Sequence, residues 1–153
     1  MKSMTLRDRP YLTFVGLALC LFVVATFGFG VLARVTVGDE SLLHAASEHI
    51  YYAAKQPVGT LLLFLPFLLL GLLCAVTAKR KGTDRGFGVF LIGMLLLGFI
   101  YFSGYQDAQY AMKHHKWTGA ALAEGLLPFM SIPALVACLV VSLILRKKQV
   151  EQP

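Results

Sequence analysis

Four long apolar runs separated by short polar segments set the frame of this chain. Residues 11–33 contain no charged side chain, and 58–78 are dominated by Leu, Phe, Val and Ala. Residues 86–106 and 126–145 are again uncharged. Each run is long enough to cross a hydrocarbon layer of about 30 Å as a helix. In lipid a helix satisfies its own backbone hydrogen bonds, whereas four strands could not close into a barrel. The pattern predicts an all-α membrane protein, a four-transmembrane-helix bundle forming one integral domain over residues 1–153. Pro66, Pro128 and Pro133 lie inside the second and fourth runs and predict bends, which membrane helices tolerate.

The segments between the runs have periodicity of their own. In the first connection, 34–56, Leu42, Leu43, Ala46, Ile50 and Ala53 recur at helical spacing, with His44, Glu48 and Lys55 on another face. Gly38, Asp39, Glu40 and Ser41 read as the start of that helix, with acids where its dipole favours them. Pro57 ends it. An amphipathic helix lying on the outer membrane surface or over the bundle is expected. Residues 79–85 form a tight turn that Gly82 and Gly86 permit. Residues 107–117 contain neither Gly nor Pro, so the third helix is expected to project as far as 117, within an outer connection spanning 107–125. Small-residue pairs are sparse. Thr26 and Gly30 suit a close helix approach, while Gly93 and Gly98 fit that spacing poorly.

Charge orients this frame. Lys2, Arg7 and Arg9 precede the first run; Lys79, Arg80, Lys81 and Arg85 fill the middle turn; Arg146, Lys147 and Lys148 open the tail 146–153. The other side has Arg34, Lys55, Lys113 and Lys116, offset by Asp39, Glu40, Glu48, Asp107 and Glu124. The positive-inside rule places both termini and the turn in the cytoplasm, an N-in/C-in topology with the first-loop helix external. Val31, Leu32 and Ala33 would suit a signal peptidase, but the first run far exceeds the about 7–15 residues of a signal core, so an uncleaved anchor is expected.

Composition agrees with a bilayer as solvent. Of 153 residues, 58% are hydrophobic and 14% charged, with a mean hydropathy of +0.71. Soluble domains carry about 25% charged residues, and a small domain has too much surface for a larger core to explain the excess. The pI near 9.4 is accounted for by topology. The basic tails are short and lack base-stacking aromatics, so no nucleic-acid partner is expected. Cys20, Cys74 and Cys138 all lie in apolar runs with no C-x-x-C pair. That excludes quinone-linked disulfide-forming enzymes and tetraspan junction proteins, which need cysteines in external loops.

Candidate chemistry is confined to one side. All four histidines, His44, His49, His114 and His115, fall in the two outer connections. His44 and Glu48 share a helix face, His49 lies about 140° around from His44, and His114 and His115 diverge by about 100°. A Zn²⁺ or Cu²⁺ site would therefore need ligands from both loops, drawn from His44, Glu48, His114 and His115. No H-E-x-x-H spacing is present. The spans hold no histidine to ligate haem and no ionisable side chain for a proton or ion path, so no cofactor is expected. G-x-S-x-G, P-loop and dinucleotide fingerprints are absent. Asp107, Tyr110, His114 and Glu124 could form an acid–base group at headgroup level.

Chemistry-free spans beneath a decorated outer face favour a protein that works by contact. The expected function is a non-catalytic interaction protein of a bacterial inner membrane, either an accessory subunit or an immunity protein against a membrane-targeting toxin. In outline only, and without any shared motif, the chain resembles small multi-helix toxin-immunity proteins. Its partners would be the lipid bilayer and a protein bound through 39–56 and 105–124. Tyr51, Tyr52, Tyr105, Asp107, Tyr110, Trp117 and Glu124 are the candidate interfacial residues, several of them aromatics of the kind that gather at membrane interfaces. The alternative is an outer-face metal-binding or lipid-modifying protein using His44, Glu48, His114, His115 and Glu124.

Overall fold

A computed structural model of the protein describes residues 9–147, so Lys2, Arg7 and Lys148, used above to orient the chain, lie outside the described residues. Seven helical segments follow one another, with no strand among the described residues: α1 Pro10–Thr36, α2 Leu42–Lys55, α3 Pro57–Lys81, α4 Thr83–Lys113, α5 Trp117–Gly125, α6 Leu127–Met130 and α7 Ile132–Lys147. Four spans are long and apolar enough to cross a membrane: α1, α3, α4 and Leu127–Leu145 across α6 and α7. The protein is a multi-pass membrane protein of all-helical fold. Large apolar side chains such as Leu12, Leu61, Leu95, Phe99 and Leu143 are exposed around its girth, as lipid contact requires.

Local chemistry explains the helix ends. Pro10 and Pro57 begin α1 and α3, where a missing N–H costs nothing. Gly82, at φ 104°, turns the chain between α3 and α4 in a conformation that only glycine adopts without strain. Lys79, Arg80 and Lys81 sit in the last turn of α3, where they complement its dipole. The third membrane helix ends at Lys113 and does not run on to 117. His115 adopts φ 57°, its N–H bonds the Met112 carbonyl at 3.0 Å, and the Lys116 N–H bonds the Ala111 carbonyl at 2.8 Å. This is a left-handed cap of the Schellman type, built on histidine where glycine is usual. The expected start of α2 also shifts. Ser41 is its N-cap residue, and Asp39 and Glu40 lie before the helix and outside its first turn.

Packing brings backbones close. A Cβ on Gly71 would lie 2.9 Å from the Ala18 Cβ and 2.9 Å from the Phe14 carbonyl oxygen, so α1 and α3 meet there nearly backbone to backbone. Gly93 receives Leu70, and Gly30 receives the ring of His49. The small residues therefore serve contacts within the chain. Phe14, Phe67, Leu70, Leu97, Tyr101 and Leu127 are fully buried. Rings step through the centre from Phe22 to Phe67 (5.7 Å) and from Phe67 to Tyr101 (4.8 Å). Pro66 cannot close the helical bond at its own turn, and the Tyr101 hydroxyl donates to the nearby Leu63 carbonyl at 2.8 Å.

Gly71→Ala should lower the melting temperature in detergent, at a cost of about 1–3 kcal/mol from overpacking against Phe14 and Ala18. A Cβ on Gly16 meets nothing within 4 Å, so Gly16→Ala should be neutral or slightly stabilising. Equal melting temperatures for the two variants would contradict the α1–α3 contact.

Candidate functional site

At the end of the bundle where α1 finishes and α3 begins, a guanidinium organises the chain. Arg34 lies in the last turn of α1 with its side chain only 12% exposed. Its Nη1 is 2.6 Å from Glu48 Oε2 and 3.6 Å from Glu40 Oε2, and its guanidinium lies over the Tyr52 ring at 5.8 Å. Glu48 Oε1 is in turn 3.6 Å from His44 Nε2, one helical turn away. Asp39 accepts a hydrogen bond from Lys113 Nζ at 2.6 Å, tying the first loop to the end of α4. The acids preceding α2 thus neutralise cations from other helices.

This pairing rotates α2 relative to its sequence pattern. Ala45 is buried, His49 rests on Gly30, and Glu48 reaches Arg34, so the small and polar positions face the bundle. Leu43 (85% exposed) and Ile50 (58% exposed) point away from the protein together with Leu42. Small residues at Ala45 and Gly30 permit the close approach, and the buried guanidinium needs the carboxylates.

Beneath α2 lies a cavity of about 740 Å3. Down α1 its wall runs from Arg34 to Thr26 and Phe22, and from Gln56, just before α3, along that helix to Leu62 and Leu63. Tyr105, Gln109 and Met112 line it from α4, and Trp117, Ala120, Ala121 and Glu124 from α5, with Pro128 beyond. Charged groups crowd the end near Arg34, and apolar side chains close the other end. Thr26 belongs to a π-helical turn, Val24–Gly28, and its hydroxyl donates to the Phe22 carbonyl at 2.7 Å. Such turns occur often at functional sites.

Two titratable groups in this cavity are shifted. Burial, aided by the nearby Arg34 charge, lowers the pKa of His49, so the imidazole is held neutral. Burial raises the pKa of Glu124, with Arg34 opposing the shift. Glu124 is exposed and lines the cavity. Its carboxylate makes no ion pair or hydrogen bond among the described residues.

The other candidates separate. Tyr105, only 3% exposed, faces inward and lines the cavity, as do Tyr52 and Glu124. Asp107 and Tyr110 are exposed on α4 away from it, and His114 packs on the Tyr110 ring at 4.4 Å. The acid–base group of Asp107, Tyr110, His114 and Glu124 is therefore not assembled, because inward positions on α4 follow 105, 109 and 112. Tyr51 is exposed with Lys55 Nζ 4.5 Å over its ring, and His115 lies near Trp117. Among the described residues, Glu40, His44 and Glu48 place ligand atoms within 4.8 Å of one another; His114 and His115 are outside that group. Both carboxylates already face the Arg34 cation, which would compete with a metal ion for them.

Arg34, Glu40, His49 and Gln109 escaped the sequence reading as site residues. The available signals were Arg34 standing directly after an apolar run and Tyr105, Gln109 and Met112 sharing one helix face. A scan of known families found no matching model, and comparison with curated proteins and with solved structures found no match.

The His49 shift has a pH consequence. Its folded pKa lies below the ordinary histidine value of 6.5, so the folded state excludes a proton that the unfolded chain takes up. Docking of α2 should be intact above that value and weaken as pH falls through it. Glu124, with a raised pKa, acts in the opposite sense and stabilises the fold as pH falls, so a local probe is required. Protection factors in Leu42–Lys55, taken relative to the intrinsic exchange rate at each pH, should fall as pH drops from about 7.5 to 5.5. His49→Gln should remove most of that dependence, and a pH-independent protection pattern would contradict it.

Proposed function

We propose that this chain is a non-catalytic binding protein of a bacterial inner membrane, and that the cavity beneath α2 is its binding site. One observation carries the reading: a cavity of about 740 Å3 enters the bundle with charged groups at one end and apolar side chains at the other. Ligand pockets occupy about 300–1,000 Å3 and combine apolar walls with a few convergent polar groups. Lys79, Arg80, Lys81 and Arg85 lie at the opposite end, so the positive-inside rule supports a cavity opening to the outside of the cytoplasmic membrane.

Native mass spectrometry of protein extracted in mild detergent should reveal a co-purified molecule. Ala121→Phe, which fills the cavity, should abolish that extra mass while leaving the melting temperature near that of the parent. A parent protein that carries no bound molecule, or a variant that keeps it, would count against the cavity.

A protein partner, as for an accessory subunit or an immunity protein, has a separate support. Leu42, Leu43 and Ile50 form an exposed apolar stripe on α2. Pull-down from native membranes should then recover a stoichiometric partner, and Leu43→Glu with Ile50→Glu should release it. Recovery unchanged by both charges would exclude this stripe as the contact.

A further inference from the structure

The cation balance of the cavity points to the kind of molecule it takes, an inference that rests on the binding reading above. Arg34 is already faced by two carboxylates, Glu40 and Glu48, and Lys113 is matched by Asp39. Glu40 Oε2 is buried and makes no hydrogen bond. Glu124 remains as a further carboxylate with no ionic partner among the described residues. With Glu124 ionised, three carboxylates on the cavity wall, Glu40, Glu48 and Glu124, face two cations, Arg34 and Lys113, an excess of one negative charge. An anion would meet that excess, whereas a monovalent cation reduces it.

Two further observations favour a cation on an apolar body. Gln109 lies 4% exposed on the cavity wall, and its side chain makes no hydrogen bond among the described residues, so its amide is available to a ligand. The rings of Tyr52, Tyr105 and Trp117 line the same space, and aromatic faces attract cations. Beyond them Phe22, Leu62 and Leu63 offer only apolar surface.

We propose that the cavity binds an organic cation carried on an apolar body, with the Glu124 carboxylate as its counter-charge, the Gln109 amide as a hydrogen-bond donor or acceptor, and Tyr52, Tyr105 and Trp117 around the charge. The cation and a proton compete for Glu124. Binding is therefore strongest where Glu124 is ionised and weakens as pH falls through its raised pKa. Arg34, Glu40, Glu48, His49, Tyr105 and Lys113 also face this space.

Trp117 is the only tryptophan and lines the cavity, so its fluorescence reports occupancy. Tetraphenylphosphonium, titrated into the full protein in an uncharged detergent, should bind saturably in fluorescence and calorimetry. Glu124→Gln should weaken it at least roughly tenfold, and Glu124→Asp should retain most of the affinity. Below the Glu124 pKa, parental affinity should fall roughly tenfold per pH unit, and this slope should persist in His49→Gln. Tetraphenylborate, of matched shape and opposite charge, should show no saturable binding. Absent tetraphenylphosphonium binding, equal binding by parent and Glu124→Gln, a pH-independent affinity in the parent, or tighter binding of the anion would each overturn the proposal. A co-purified molecule lost in Ala121→Phe would leave the cavity reading standing in any of those cases. Its mass would also separate a lipid with an amine headgroup from a free organic cation.

Discussion

Neutralising one guanidinium at the edge of a membrane span is the constraint on which this structure depends. Arg34 ends a long apolar helix and is almost entirely covered, and an uncompensated charge there would cost several kcal/mol. Glu48 and Glu40 compensate it, but only if α2 folds back over α1 with its polar side inward. That placement puts His49 on Gly30 and the first connection over the open end of the bundle. The apolar stripe of α2 is turned outward as a consequence. Lys113 with Asp39 closes the same region from the α4 side.

Folding α2 back creates a roof, and departures from regular helix shape the space below it. The π-helical turn in α1 sets Thr26 into the wall, and the proline in the fourth span interrupts the helix just beyond Glu124. The cavity thus grades from an ionic end at Arg34 to an apolar end at Phe22 and Leu63, with Glu124 and Gln109 between them. A graded wall of this kind suits a molecule having both a charged and an apolar part. Histidine chemistry recedes in the same arrangement. His114 and His115 cap the end of α4, and His49 is held neutral against a glycine.

Much of the fold was legible in the chain. Four apolar runs correspond to the four spans, and the first connection contains the amphipathic helix that its periodicity announced. The pairing of His44 with Glu48 also followed from spacing alone. The third helix was extended too far because its stop is a conformation, histidine in the left-handed region, and not a residue type. Which face of α2 meets the bundle was not legible, because amphipathicity shows which residues lie together without showing which neighbour they meet. Tyr105 looked interfacial because tyrosines gather at membrane edges, yet packing turns it inward.

By itself the sequence determined the number of spans, their lengths, and the asymmetric distribution of basic residues. Each of those depends on a local sum: apolar surface per residue against a bilayer of fixed thickness, and charge counted loop by loop. Only the tertiary structure decided which polar groups share a space. That depends on the rotation of each helix about its axis, set by contacts such as Gly71 on Phe14 and His49 on Gly30. Arg34, Glu40 and Glu48 come from the first connection and Glu124 from the second, and no spacing rule joins residues that meet only after such rotations are fixed.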